Sequence, residues 1–308
     1  MTNDKPVISP ILALGMAILA VSAASILIRM AQQDAPSLVI AAYRLGFATL
    51  LLAPTALSRH WGEIRALSWK ALGGLALSGA FLALHFAAWI TSLEHTSVAI
   101  SSVLVTTTPL WVALLSTLAL GERLPRGVVL GLGAALAGGM IVALSQTCAW
   151  EGGRLACDWQ ASWGGQGLWG SLLALLGAVF ASGYLLIGRR MRASLSLTAY
   201  TFVVYGSAAV CLWAAVLVSG LPAGGYPLST YGWMLALAVF PQLIGHSTYN
   251  WALRYVSATV VSVSLLGEPI GASLLAVVLL GEVPGAVELV GGALILVGIF
   301  LAARSEPA

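Results

Sequence analysis

Charge is what this sequence has least of. Asp, Glu, Lys and Arg together make up 8% of its 308 residues, against roughly 25% in a soluble globular chain. A water-facing surface cannot be built from that. The net charge is +3, but the basic residues sit in short loops without a contiguous patch, which excludes the electrostatic footprint of a nucleic-acid binder. Alternating segments of about ten residues are missing, which excludes an outer-membrane barrel. A HExxH pair, a Ser-His arrangement and paired Asp residues are missing too, so the sequence shows no catalytic centre, metal site or cofactor site, and an intramembrane enzyme is a remote alternative.

Hydrophobic residues make up 59% of the chain. They fall in runs of about 20 residues between short polar breaks, the length a helix needs to cross the hydrocarbon core. The expected helices lie near 10–29, 37–57, 68–91, 97–119, 125–146, 166–188, 196–219, 229–251, 258–280 and 284–303. The first run, Ile11 to Ile28, follows a single Lys5 and has no cleavage site before Arg29, so it reads as a retained helix rather than a signal peptide. The fold class is an all-α polytopic membrane protein, with the lipid bilayer as its solvent.

The chain also repeats itself. Leu93, Ser97, Ser102, Val103, Pro109, Leu114, Leu115, Leu120, Gly121, Glu122, Gly131, Leu136 and Gly138 meet the same residue types 160 positions later, without a gap. Ser37, Leu38, Ala42 and Tyr43 match Ser194, Leu195, Ala199 and Tyr200 more weakly, at an offset of 157. Residues 1–146 and 166–308 are therefore expected to be two five-helix copies joined by an outer connection, 147–165. With the N-terminus inside, Lys5, Arg59, Arg65, Lys70, Arg123, Arg126, Arg189, Arg190, Arg192, Arg254 and Arg304 fall on the cytoplasmic side and Arg29 and Arg154 outside. Both termini are then cytoplasmic. An odd number of helices per copy inverts the second copy, and in inverted repeats the substrate path lies at their interface near the midplane.

The connection holds Cys148, Cys157, Trp150, Trp159 and Trp163. A disulfide in an oxidising outer compartment is one reading of the cysteines, and two free thiols is the other. Cys211, inside the seventh helix, reads as a small packing residue. Gly131, Gly133, Gly138, Gly139, Gly291, Gly292 and Gly298 thread the fifth and tenth helices and are expected to let backbones approach closely.

Gly121-Glu122 and Gly281-Glu282 close the fourth and ninth helices, and Glu268-Pro269 lies inside the ninth. With these motifs the whole chain resembles the drug/metabolite transporter superfamily, in particular its ten-helix exporters of two five-helix domains. It is similar to the bacterial aromatic amino acid exporters also linked to paraquat efflux. The resemblance implies a central cavity enclosed by helices 1, 3, 4, 6, 8 and 9 that opens alternately to each side of a bacterial inner membrane. The first copy departs from the Glu-Pro feature with Thr108-Pro109, so it has no second buried acid.

Polar groups at membrane depth are costly and face a cavity or one another. The candidates for a substrate cavity are His85, Trp89, Ser101, Thr107, Thr108, Trp111, Tyr184, Gln242, His246, Tyr249 and Asn250. Gln242, His246, Tyr249 and Asn250 have the spacing of one helical face, and Trp89 aligns with Tyr249 across the repeat. Each has a plainer role as an interhelical strut, and the threonines as partners for carbonyls freed by Pro109. Pro109 and Pro269 are expected kinks or hinges. Glu268 and Arg44 are the charges inside helices. They pair with each other, or Glu268 titrates during transport.

A cavity with one cation suits neutral, zwitterionic or delocalised-cation solutes with an apolar body better than phosphorylated ones. Export of small neutral or zwitterionic solutes, aromatic amino acids first, is the expected function. Multidrug or aromatic-cation efflux is the alternative. The small-molecule substrate is the one expected partner, and no feature fixes an oligomeric state.

Overall fold

The computed structural model describes residue 6 and residues 8–120, 126–145, 148–151, 154–157, 166–256 and 258–304. Gly121, Glu122, Arg123, Lys5, Trp159 and Trp163 lie outside these. Eight helices among the described residues are long and apolar enough to cross a membrane. They are α1 (Pro10–Ala31), α2 (Ser37–Arg59), α3 (Trp69–His95), α4 (Val98–Ser116), α6 (Gly167–Arg192), α7 (Leu197–Val218), α8 (Leu228–Ala252) and α9 (Val260–Leu280). Two more helices, α5 (Arg126–Ser145) and α10 (Ala286–Arg304), complete the bundle. A short helix that the hydropathy pattern does not suggest, Trp61–Arg65, follows α2.

The bundle is turned inside out relative to a soluble protein. Leu19, Val210, Val218, Val278 and Leu289 are exposed on its outside, whereas Arg44, Ser25, Ser78, Ser101, Gln242 and Asn250 are fully buried. Large apolar residues facing outward along whole helices are at home in lipid, where exposing them costs nothing. Cys211, expected as a packing residue, sits on this exposed face. Trp61 and Trp69 are exposed near helix ends, where an amphipathic ring suits the membrane interface.

The packing obeys the repeat. α5 lies along α10, α2 along α7, α3 along α6 and α1 against α8. Exchanging the copies maps the first two pairs onto themselves and the last two onto each other, which is the two-fold relation that an inverted repeat requires. Gly138 shows why the glycines are needed: a Cβ there would lie 2.6 Å from the Gly291 carbonyl oxygen and 2.9 Å from the Ile295 nitrogen. Gly133, from the same set, has open space at its Cβ position and carries no such constraint.

Helix ends are held by side chains from other helices. Glu282 Oε2 accepts from the Val98 N–H at the start of α4 (3.0 Å) and Glu94 Oε1 from the Ser37 N–H at the start of α2 (3.1 Å). At the opposite end, Glu63 accepts from the Ser196 N–H (2.7 Å) and hydroxyl (2.6 Å), where Ser196 caps α7. Arg189 donates to the Leu253 carbonyl (2.7 Å) and to that of Val256, and Arg192 donates to the Asn250 carbonyl (3.0 Å). Carboxylates thus sit on the positive ends of helices and guanidinium groups on the negative ends. The Gly-Glu motif is explained by this division of labour. Gly281 takes the left-handed conformation (φ 69°) that ends α9, and Glu282 reaches back to Val98 and to Arg29 (3.0 Å).

The connection between the copies contains a two-stranded hairpin, β1 (Cys148–Glu151) and β2 (Arg154–Cys157), in which Cys148 is paired opposite Cys157. Its backbone register meets the first condition for the disulfide reading.

Gly138→Val is expected to push α5 from α10 at a cost of about 1–3 kcal/mol, lowering the thermal midpoint in detergent. Gly133→Ala should leave it unchanged, and equal losses for both would count against this packing. Partial burial pushes the Glu63 carboxyl up, but the Ser196 and His60 hydrogen bonds outweigh it and hold the group below its ordinary 4.5. A carboxyl held low when folded stabilises above its unfolded pKa, and that stability is lost as pH falls through the folded value. The midpoint of wild type should therefore exceed that of Glu63→Gln at neutral pH and converge with it below about 4.5, as read by intrinsic fluorescence.

Candidate functional site

Neither α4 nor α9 is continuous. α4 consists of Val98–Val105 and Thr108–Leu120, and α9 of Ala258–Ser264 and Gly267–Leu280. The expected kinks are there, each a tight turn still bridged by backbone hydrogen bonds, and Pro109 and Pro269 stand in the first turn of each second half, where a proline is tolerated because its missing N–H would be unpaired anyway. Thr106, Thr107 and Thr108 donate to the carbonyls of Val103, Leu104 and Val105 (2.9, 2.7 and 2.8 Å), using the acceptors next to the break. Two half-helix N-termini therefore start at membrane depth, one from each copy, with Thr108 and Glu268 at equivalent positions.

Beside the breaks lies a narrow cavity lined by His85 and Trp89 of α3, Val105, Thr106 and Thr108 of α4, Ala181, Tyr184 and Leu185 of α6, His246 and Tyr249 of α8, and Leu265 and Glu268 of α9. α1 is not among the walls; it packs behind α8 and α9. Glu268 is the acid on this surface, 8% exposed. Its neighbour Pro269 instead lines an apolar groove between α4, α9 and α10.

Aromatic rings make the cavity's flat surfaces. His85 stacks on Trp89 (centroids 5.9 Å apart, 12° between planes), and His246 stands edge-on to Tyr249 (5.9 Å, 76°). His85 Nδ1 lies 2.9 Å from the Gly177 carbonyl. A carbonyl only accepts, so this nitrogen carries the proton and Nε2 is left for another partner. Trp89 Nε1 and Tyr249 Oη, from repeat-equivalent residues, are buried without a hydrogen-bond partner.

Other candidates lie behind this wall, tied to it through Tyr184 and Thr107. Tyr184 Oη donates to Asn250 Oδ1 (2.7 Å), and Asn250 Nδ2 to Tyr205 Oη (3.2 Å). Tyr205 is 3.2 Å from Ser247 Oγ, which donates to the Gln242 carbonyl (3.4 Å). Ser101 pairs with Ser92 (2.6 Å) between α3 and α4, and Trp111 Nε1 donates to Thr107 Oγ1 (3.2 Å). Arg44, from α2, bonds Gln242 and lies over Phe86. Among the described residues Arg44 and Glu268 form no ion pair.

The helical face read from spacing in α8 is split because Ala238–His246 is π-helical around Pro241. A π-turn takes more residues than an α-turn, so Gln242 and Asn250 point toward α2, α6 and α7 while His246 and Tyr249 face the cavity. Phe86, Ala181, Leu185 and Leu265 were not candidates because ordinary apolar residues carry no sequence signal of their position. The role of Glu282 was signalled only by its repetition as Glu122.

Two repeat-related halves, each with a helix interrupted just before a proline beside a shared aromatic cavity, have the build of a membrane carrier of small molecules. The chain belongs to the EamA-like transporter family, within the drug/metabolite transporter superfamily. The family pattern matches residues 8–144 and again residues 168–304. The pseudopaline exporter CntI of Pseudomonas aeruginosa, matched in two strains, is 29% identical over 281 residues, spanning 91% of this chain and 90% of that protein. A crystal structure, described only as that of a protein, matches with a TM-score of 0.66 at 20% identity, covering 97% of this chain and 99% of that one. It supports the fold alone.

Tyr184→Phe leaves Asn250 Oδ1 without its donor, which typically costs about 1–3 kcal/mol for a buried group. The expected result is a lower thermal midpoint, with Asn250→Ala adding much less in the double variant than alone. Additive losses would show that the two residues do not act as a pair.

Proposed function

We propose that this protein exports small neutral or zwitterionic solutes with an aromatic body, aromatic amino acids first, by alternating access. The observation that carries the reading is the cavity surface. Flat rings from both copies, Trp89, His85, Tyr184, Tyr249 and His246, surround one carboxylate, Glu268. The rings suit an apolar planar body. Glu268 suits an ammonium group, and Trp89 Nε1 and Tyr249 Oη are donors awaiting acceptors.

On this reading the substrate-contacting residues are His85, Trp89, Thr108, Tyr184, His246, Tyr249 and Glu268. Pro109 and Pro269 start the half-helices that move between inward-open and outward-open states. Residues 1–146 and 166–308 are the two moving repeats, each of five membrane spans. The distribution of Lys and Arg supports a bacterial inner-membrane protein with both termini in the cytoplasm. Activity is transport rather than catalysis.

A second reading is efflux of delocalised aromatic cations such as paraquat, favoured by the same carboxylate among aromatic faces. The relative CntI is a pseudopaline exporter, so pseudopaline is a further substrate to include in the assay.

Uptake of labelled phenylalanine and tryptophan into proteoliposomes, with and without an imposed pH gradient, tests the proposal against Glu268→Gln. Protein-dependent flux that follows the gradient and fails in the variant makes Glu268 the coupling acid. Flux indifferent to both makes the protein a facilitator. No flux of either amino acid, with flux of paraquat, overturns the leading reading in favour of the second.

A further inference from the structure

Arg44 and Gln242 do not belong to the cavity wall, and the transport reading gives them no task. Arg44 is fully buried, as is Gln242. Arg44 Nε donates to Gln242 Oε1 (2.9 Å), and the guanidinium carbon lies 4.0 Å from the centre of the Phe86 ring. Because Nε can only donate, the amide must turn its oxygen to the arginine, leaving its NH2 as a further donor on the same side chain. Arg44 Nη1 and Nη2 are buried without an acceptor, and Gln242 Nε2 has only the Tyr205 hydroxyl oxygen beside it. The nearby Tyr205 hydroxyl is engaged by Ser247 and Asn250.

A desolvated guanidinium is tolerated when a counter-charge and hydrogen-bond acceptors meet it. Here the Phe86 face offers some attraction to the cation and Glu268 attracts it from beyond salt-bridge distance, but neither supplies an acceptor in the guanidinium plane. The backbone is nonetheless shaped to bring Gln242 to this place: Pro241 lies inside the nine-residue π-helix Ala238–His246, a rare conformation found frequently at functional sites. Phe86 also packs on His85 (4.7 Å), Trp89 (6.2 Å) and His246 (5.2 Å), so the arginine stands one ring behind the cavity.

We propose that Arg44 and Gln242 form a buried receptor for a small anion, with a carboxylate the best match because the guanidinium fork accepts its two oxygens side by side. The anion comes from one of two sources. It is either the carboxylate end of the transported solute, admitted when Phe86 turns aside, or a small anion from solution that resides there. The receptor stands apart from the aromatic amino acid reading, except that the first source rests on it.

The test uses the full chain in detergent, in sodium HEPES, whose bulky anion cannot enter so closed a space. Tm is followed by intrinsic fluorescence with added sodium chloride, sodium acetate, phenylalanine or phenethylamine. We expect a saturable rise in Tm with a small anion or with phenylalanine, and none with phenethylamine. Gln242→Glu supplies its own carboxylate, so its Tm without added anion should exceed that of wild type and gain nothing from anions. Arg44→Lys keeps the charge and loses the fork, so its half-saturating anion concentration should rise roughly tenfold, the usual order for one charge-assisted hydrogen bond.

A response to phenylalanine but not to acetate or chloride assigns the site to the solute. A response to acetate or chloride assigns it to a resident anion. Phenylalanine that fails to move in proteoliposomes while acetate still raises Tm removes the transport reading and leaves the receptor standing. A wild-type Tm indifferent to every anion, with Gln242→Glu no more stable than wild type, overturns the proposal.

Discussion

Inside a bilayer, a backbone N–H or C=O left unpaired finds no water, and this constraint governs more of the structure than any apolar contact does. Lipid is as apolar as leucine, so burying leucine between helices gains little. What distinguishes one arrangement of helices from another is which polar groups it satisfies. The chain has few acids, and three of them, Glu63, Glu94 and Glu282, each hold the N-terminus of a helix other than their own. Arg189 and Arg192 do the reverse at the last carbonyls of α8 and the residues after it. These contacts, spaced far apart in sequence, tie the ends of the bundle into a defined register.

The same constraint makes the middle of the membrane the place where chemistry is concentrated. Breaking α4 and α9 releases backbone groups at depth, and three threonine hydroxyls turn inward to engage carbonyls beside the α4 break. In α9 the equivalent positions are Leu266, Gly267 and Glu268, and the third of these presents a carboxylate to the cavity instead. One copy therefore keeps its break structurally closed while the other offers a charge. This asymmetry between otherwise matched halves puts the cavity's carboxylate on α9, while the first copy contributes Thr106, Thr108, His85 and Trp89.

Much of this was legible in the residues. The period of 160 announced two copies, the low charge announced lipid, and Gly138 was marked as a packing position that the α5–α10 contact then required. Trp89 and Tyr249 match through the repeat in the sequence, and both line the cavity. The face of α8 was not legible. A spacing of four, three and one is diagnostic only where the helix keeps 3.6 residues per turn, and the π-helix around Pro241 breaks that rule. Ser101 and Asn250 looked like site residues because they are polar and deep, yet each has a buried protein partner, Ser92 for one and Tyr184 with Tyr205 for the other.

The sequence by itself determined the solvent, the helical class, the doubling of the unit and the residue types available at depth, because hydropathy, repeat period and composition are properties of the chain read along its length. The tertiary structure alone decided which of those deep polar groups meet one another and which meet empty space. Glu268 and Arg44, the two charges that seemed made to pair, form no salt bridge: Glu268 lines the cavity, while Arg44 bonds Gln242 and lies over Phe86. The reason is geometric: hydrogen bonds and ion pairs act over a few ångströms between helices whose rotation, breaks and bulges the sequence pattern does not specify.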